Sequence, residues 1–375
     1  MNEEMINPAR KRVVSGMRPT GKLHLGNYVG ALKNWVELQN ASFEDNSPKY
    51  ECYFFIADYH ALTTDYADTG ALQQNVREVA LDFLAAGLDR KKCTIFLQSE
   101  VPAHAELAML LGMITPLSWL ERVPTYKDQQ EQLKEKDLGT YGFLGYPLLM
   151  SADILLYQPD FVPVGQDQAA HVEITREIAR RFNHLYASKR GGVADAKFGH
   201  ISDKQRIAQL EEKTDVREIL PEPRVLLTPS PKLPGTDGRK MSKSYGNAIL
   251  LSDTEPDVRA KLKTMVTDPA RVRRTDPGNP DVCPVFDLHK VFSSQEVQAQ
   301  AAEGCRTAGI GCIQCKSWLA DSVVKELAPI QERRRYFEAN PDEVDAILDE
   351  GSFRANGRAM VTMRQAFTAV GLSRR

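Results

Sequence analysis

VVSGMRPTGKLHLGN, residues 13–27, is the stretch on which the fold turns. Val13-Val14 closes a short apolar run, and Ser15-Gly16 breaks it. After Gly21 and the His24–Asn27 segment, Val29, Leu32 and Val36 fall at helical spacing. The order is strand, glycine-bearing turn, helix. A helix N-terminus beside a strand end is a natural seat for phosphate. Far downstream, Lys240-Met241-Ser242-Lys243-Ser244 supplies a loop with two ammonium groups. Such groups can neutralise charge as it builds on a departing polyphosphate. The spacing Gly16-x4-Gly21-Lys22 also fits a P-loop. Against that, Leu23 stands where a hydroxyl would hold magnesium, and Pro19 removes a backbone N–H from the loop.

Outward from this stretch, short apolar runs recur at Tyr53–Ala57, Thr94–Leu97 and Phe161–Val164. Helical periodicity fills Val76–Leu88 and Val172–Phe182 between and after them. Alternating strands and helices predict an α/β fold with a Rossmann-like parallel sheet. Its ligand would sit at the carboxyl ends of the strands. From about 184 to 217 the composition turns charged, with Gly191-Gly192, and reads as a surface excursion. Pro221, Pro223, Pro229, Pro231 and Pro234 stiffen the approach to Lys240. The last third is mostly helical, with Met360, Met363 and Phe367 spaced as core residues, and no internal repeat is visible. These shifts suggest an extension over 1–12, a catalytic domain over 13–238 with a charged insertion near 187–215, a lysine loop over 239–250 and a helical domain over 251–375.

A chain of 375 residues suggests two domains, and 42% hydrophobic content allows a large core. The formal net charge of -2 means that any nucleic-acid surface must concentrate its positive charge locally. The N-terminus lacks the apolar core of a secretory signal and no long apolar span follows, so a cytoplasmic protein without membrane contact is expected.

GYPLLMSADILLY, residues 145–157, places Asp153 in an apolar run. On a helix, Tyr146, Met150 and Asp153 share one face at i, i+4 and i+7. An aromatic ring, a thioether and a carboxylate acceptor would cup an indole ring and its N–H. The plainer reading pairs Asp153 with an arginine, since a buried carboxylate needs a partner.

SGMRPTGKLHLGN, YPLLMSADILLY, VPVGQDQ and GRKMSKS, in this order, resemble the matching segments of bacterial tryptophanyl-tRNA synthetases, which are class I aminoacyl-tRNA synthetases. The likeness runs over most of the chain from Val13. It implies a two-step reaction. Tryptophan is first activated with ATP to tryptophanyl-adenylate and then transferred to tRNA(Trp), with Mg2+ on the nucleotide and a homodimer as the working form. It implies catalytic roles for His24, Asn27, Lys240 and Lys243. ATP contacts would come from Arg18, Thr20, Gly26, Asn27, Gly165, Gln166, Asp167, Met241, Ser242 and Ser244 as well as both lysines. Tryptophan would meet His60, Tyr146, Met150, Asp153, Val162, Val164 and Gln168, with Asp153 accepting the indole N–H. Tyrosyl-tRNA synthetases are the close alternative, but they usually carry Gln where Met150 stands. Two positions depart from the pattern. Gln166 replaces the usual Glu, and Gln129, two residues after Lys127, replaces a lysine.

Four of the six cysteines form a C-x21-C-x6-C-x2-C pattern at Cys283, Cys305, Cys312 and Cys315. Cys52 and Cys93 lie in apolar runs and read as small buried hydrophobes. Four thiolates with one close pair can hold zinc or a [4Fe–4S] cluster, and the spacing alone leaves both open. A subset of the same family carries nearly this spacing with a [4Fe–4S] cluster in its anticodon-binding region. That resemblance implies a cluster here, in a structural and recognition role. Two other classes compete with this reading. A cluster-bearing nucleic-acid processing protein would need an acidic metal site, which the sequence does not offer. A synthetase-like binding module would not need Lys240, Lys243 and Asp153.

Overall fold

The computed structural model describes residues 10–123, 139–187, 218–227 and 233–372. Five parallel strands, β1 (Lys11–Met17), β2 (Tyr50–Ile56), β3 (Cys93–Leu97), β4 (Phe161–Val164) and β5 (Arg224–Leu227), form one sheet in the order β3-β2-β1-β4-β5. Val13 pairs with Cys52 on one side and with Phe161 on the other. The chain therefore winds outward from β1 to β3 and then restarts beside β1 with β4. That reversal opens a crevice between the carboxyl ends of β1 and β4, where ligands of such sheets sit.

Side chains alternate across the sheet and feed two cores. Val13, Phe54, Ile56 and Ile95 belong to one; Val14, Tyr53, Phe55 and Phe96 belong to the other. Both faces are covered, so β2 reads as an almost unbroken apolar run. Among the described residues, the helices of eight or more residues up to β5 are α1 (Lys33–Asn40), α2 (Asp58–Asp65), α3 (Leu72–Ala86), α4 (Ala103–Gly112), α5 (Tyr146–Leu155) and α6 (Ala169–Tyr186). On the first face, Trp35 of α1 stacks on Phe54 at 4.7 Å and meets Phe83 of α3 edge-on at 5.4 Å. The C-terminal α3 turn closes on Gly87, whose φ of 112° suits glycine.

After β5 come α7 (Glu255–Thr264), α8 (Pro284–Phe292), α9 (Gln295–Arg306), α10 (Cys312–Ala339) and α11 (Pro341–Val370). Leu319, Val323 and Leu327 of α10 share one apolar cluster with Val13, Leu25 and Trp35. Helix α11 lies along the edge strand β3. A Cβ on Gly351 would fall 1.7 Å from the Ile95 carbonyl oxygen, so only glycine permits this approach. An edge strand is thereby covered. Met363 is fully buried, with Met360 and Phe367 packed beside it, as their spacing suggested.

Two local expectations are revised. The helix after Gly21 is not continuous: a turn at Leu25–Asn27 passes through a π segment at Tyr28–Leu32 before α1 begins. That wider turn leaves Gly30 and Ala31 at the cleft, and π segments are frequent at such sites. Residues 184–186, where a surface excursion is expected to begin, still belong to α6, which continues through Tyr186. Most of the charged insertion, the start of the N-terminal extension, Lys127 and Gln129 lie outside the described residues. Among the described residues, no helix is long and apolar enough to cross a membrane.

Candidate active site

A cleft of about 450 Å³ opens at the crevice between β1 and β4. Every side chain expected to meet tryptophan lines it: His60, Tyr146, Met150, Asp153, Val162, Val164 and Gln168. Arg18, Gly26, Asn27 and Gly165 line it as well. Gly16 stands at the end of β1 because Phe55 leaves no room for a side chain there; a Cβ would come within 2.4 Å of the ring.

Tyr146, Met150 and Asp153 do lie on one face of α5 and point into the cleft. Pro147 in the first turn starts the helix with its φ already set. Asp153 is 1% exposed. Its partners are not the arginine of the plainer reading. Oδ1 accepts from Gln98 Nε2 at 2.7 Å and lies 2.6 Å from His104 Nδ1, while Oδ2 lies 2.8 Å from His60 Nε2. Burial alone would raise the carboxyl. The two histidines outweigh it and hold Asp153 at about 2, so the group is an anion at neutral pH. Tyr146 reaches His171 across the cleft, with its hydroxyl 2.8 Å from Nε2.

The region around the lysine loop is built from the two motifs. Leu25 N–H donates to the Ile249 carbonyl and Leu251 N–H to the Leu23 carbonyl, both at 2.9 Å. This short antiparallel pairing brings segments far apart in sequence side by side. His24 caps the turn that follows: its Nδ1 accepts from Asn27 N–H at 3.3 Å, and Asn27 Oδ1 accepts from His24 N–H at 3.1 Å. With Nδ1 an acceptor, the ring keeps its proton on Nε2. Burial, then Lys243 and Lys240, lower His24 to about 4, so it is a neutral donor at pH 7. Gly26 is needed there, since a Cβ would meet the His24 ring at 2.9 Å.

Lys243 Nζ donates to the Thr20 carbonyl at 2.6 Å and to Thr20 Oγ1 at 3.1 Å, closing the lysine loop over the glycine-bearing turn. Asn247 pins the loop from beneath. Its Oδ1 accepts from Ser242 N–H at 2.8 Å, and its Nδ2 donates to Asp237 at 2.7 Å and to the Lys240 carbonyl at 3.2 Å. Met241 is buried as the loop's apolar anchor, while Lys240 and Ser244 are exposed. Thr20, Gln166, both lysines, Met241 and both serines do not line the cleft itself. Gln166 is exposed in the short turn after β4, and the Asp167 side chain lies outside what is described. The P-loop reading fails on two counts. Leu23 is buried, and its N–H is committed to Asp82 at 2.7 Å instead of facing a phosphate.

This geometry can be set beside known proteins. The family model for class I tRNA synthetases (W and Y) matches residues 7–328. A tryptophan–tRNA ligase of Ralstonia nicotianae is 47% identical, spanning 97% of this chain and 99% of that relative. One from Thermotoga maritima is 48% identical over 96% and 99%. The chain belongs to the tryptophan–tRNA ligases of class I. Among solved structures, a tryptophanyl-tRNA synthetase from Campylobacter jejuni complexed with ADP and tryptophan superposes with a TM-score of 0.78 at 32% identity, covering 96% of this chain and all of that one.

For a tryptophan–tRNA ligase, the site holds residues that the sequence did not single out. Gln98 and His104 behind Asp153, and Phe55, Thr63 and His171 in the cleft wall, come from elements whose helical or strand pattern gave no polar signal. Only burial reveals them: Gln98 and His104 are fully enclosed polar side chains, which must be hydrogen-bonded.

The four cysteines gather away from the cleft. Cys283 caps α8, Cys305 lies near the end of α9, and Cys312 and Cys315 sit in the first turn of α10. Burial, then Cys283, Cys305 and Cys312, push the Cys315 thiol up to about 12. Cys305 is raised by burial and by Cys283 and Cys312. The thiols therefore sense one another. Among the described residues, no three His, Cys, Asp or Glu are placed so as to hold one metal ion. Cys52 and Cys93 are buried and paired across β2 and β3, as small apolar residues would be.

Proposed function

We propose that the cleft binds L-tryptophan with its indole N–H on Asp153 Oδ2 and its ring among Tyr146, Met150, Val162 and Val164, with His60 and Gln168 at its polar edges. The observation that carries this reading is a buried, ionised carboxylate with one acceptor position left in a cleft whose wall includes Met150, Val162 and Val164. ATP enters as its Mg2+ complex between the His24–Asn27 turn and the lysine loop, near Arg18, Thr20, Gly26 and the Gly165–Asp167 turn. The tryptophan carboxylate attacks the α-phosphorus, and the bond to the bridging oxygen of the β-phosphate breaks. Pyrophosphate leaves with its charge met by Lys240 and Lys243, while His24 Nε2–H and Asn27 donate to phosphate or ribose oxygens. The 2′-hydroxyl of the terminal adenosine of tRNA(Trp) then attacks the acyl carbonyl, and AMP departs. No side-chain nucleophile is required; placement and charge stabilisation supply the acceleration. The reactants assign the enzyme to the cytoplasm. Exposed Met109, Met113 and Leu117 provide an apolar surface for the homodimer expected of the family.

Asp153→Asn tests the pocket. Oδ1 takes two donors, so the amide oxygen would occupy its place and the NH2 would replace Oδ2. The indole N–H would then face a donor. An unmatched buried donor costs about 1–3 kcal/mol, so kcat/KM for tryptophan in ATP–pyrophosphate exchange should fall roughly 5- to 150-fold. KM for ATP should hold. Unaltered tryptophan kinetics in this variant would remove Asp153 from recognition.

We further propose that Cys283, Cys305, Cys312 and Cys315 hold a [4Fe–4S] cluster that fixes α8, α9 and α10 for tRNA recognition. Two features fit such a group. Arg271 is 9% exposed with Nη1 3.8 Å from Cys305 Sγ, and its buried Nε has no hydrogen-bond partner, as expected of a donor awaiting a sulfur acceptor. Gly278 leaves open a space where a Cβ would come within 2.6 Å of Cys305 Sγ. The cluster would ligate the four thiolates and join three helices. Anaerobically purified protein should contain about four iron and four sulfide per chain. Cys315→Ser should lower the iron content and impair tRNA charging more than pyrophosphate exchange. Stoichiometric zinc without iron, from iron-replete anaerobic cells, would favour a zinc site in its place.

A further inference from the structure

Behind the cleft, a chain of fully buried polar groups ends on Asp153. Tyr157, on the residue pair that follows α5, has its hydroxyl 2.8 Å from His104 Nε2, and His104 Nδ1 lies 2.6 Å from Asp153 Oδ1. His104 and Tyr157 are both 0% exposed and neither lines the cleft. The imidazole is enclosed by rings on several sides, with Phe55, Phe96 and Tyr157 centred 5.7, 6.0 and 5.5 Å away. Its orientation is therefore fixed by packing before any ligand arrives.

The donors can be assigned. Asp153 is ionised and Oδ1 can only accept, so His104 Nδ1, 2.6 Å away, carries the proton between them. Nε2 faces the Tyr157 hydroxyl at 2.8 Å, which burial keeps protonated. Gln98 is oriented in the same way: its Oε1 accepts from Tyr59 N–H at 3.1 Å, which turns its Nε2 toward Oδ1 at 2.7 Å. Both lone pairs of Oδ1 are thus taken. Oδ2 has one contact, with His60, and retains one acceptor position. A carboxylate torsion is broad and roughly two-fold, so an unanchored aspartate would sample many orientations. Two donors on one oxygen remove that freedom and keep the other oxygen turned to the cleft.

We propose that His104 is a positioning residue for substrate choice: by saturating Asp153 Oδ1 together with Gln98, it reserves Oδ2 as a single, aimed acceptor that selects for an indole N–H. This rests on the reading that Asp153 receives that N–H. His104 does not touch tryptophan, and its loss acts only on substrates that use the acceptor.

The test is the ratio of kcat/KM for tryptophan to that for β-(3-benzothienyl)alanine, which carries sulfur in place of the indole N–H, both measured by ATP–pyrophosphate exchange. The ratio is taken within one preparation, so partial unfolding cancels. His104→Gln can reach Tyr157 but not Asp153; His104→Asn keeps a donor at the Nδ1 position. H104Q should lower the ratio about 10-fold, the loss expected from one hydrogen bond to a charged group, while H104N should stay within about 3-fold of the parent. Asp153→Asn serves as the reference and should lower the ratio at least as far. If D153N leaves the ratio unchanged, the assignment of Asp153 itself fails. If D153N lowers it and H104Q does not, or H104Q and H104N lower it equally, the positioning role is overturned. Should H104Q fail to fold, Tyr157→Phe reads the same chain one step back. A ratio reduced a few-fold supports the proposal, and an unchanged ratio rejects it.

Discussion

Lys243→Ala should slow tryptophan-dependent ATP–pyrophosphate exchange by about 100-fold or more, the range found when one preorganised charge-stabilising donor is removed. Its Nζ now rests on the carbonyl and hydroxyl of Thr20, groups it would leave as pyrophosphate charge develops. Burial already lowers its pKa, so part of its hydration is lost before ATP binds. An ammonium in that setting interacts more strongly with phosphate than one in bulk water. If the contact forms in the transition state, as proposed, kcat should fall while KM for tryptophan stays near its parent value. Stability should change little, since the resting bonds lie at an exposed turn. The same substitution removes one of the two charges that hold His24 low, though burial remains the larger cause. Rapid-quench measurement of adenylate formation separates the cases. A variant with normal adenylate formation and weakened tryptophan binding would sink the role given to the lysine loop.

Much of this site could be read from the sequence because its elements announce themselves locally. The alternation of apolar runs and helical stretches gave the parallel sheet, and the sheet order then places β1 and β4 side by side. Tyr146, Met150 and Asp153 were legible because a helical period puts them on one face. What the sequence hid is what depends on long-range packing. A buried Asp153 reads in sequence as needing an arginine; it is held instead by His60, His104 and Gln98, which lie 93, 49 and 55 positions away. No periodicity marks such partners. The π segment at Tyr28–Leu32 was equally invisible, because it differs from a helix only in the reach of its hydrogen bonds. Nor did composition reveal how closely α11 approaches β3, a packing that hangs on the missing side chain of Gly351.

Arg334→Met should destabilise the fold by about 3–5 kcal/mol, the cost of stripping one partner from a buried ion pair. Arg334 of α10 is 3% exposed and bonds Asp82 and Glu78 of α3, with Glu338 at 2.8 Å. Asp82 is fully buried, and its other oxygen accepts the Leu23 N–H at 2.7 Å. One carboxylate therefore ties the C-terminal helices to the residue before His24. Methionine would fill the space of the arginine stem but remove the charge that holds down Asp82, which burial already raises to about 6, so the enclosed carboxyl would have to take up a proton or stay charged with a single donor. Pairing the change with Asp82→Asn should recover much of the loss, because the amide oxygen can still accept from Leu23 without carrying charge. The exchange rate should also fall in Arg334→Met at temperatures where the protein remains folded, since Leu23 is no longer firmly held beside the His24–Asn27 turn. Denaturant unfolding of the single and double variants checks the argument. A single variant within about 1 kcal/mol of the parent, or a double variant no better than the single, would mean that the arginine is not what makes the buried Asp82 tolerable.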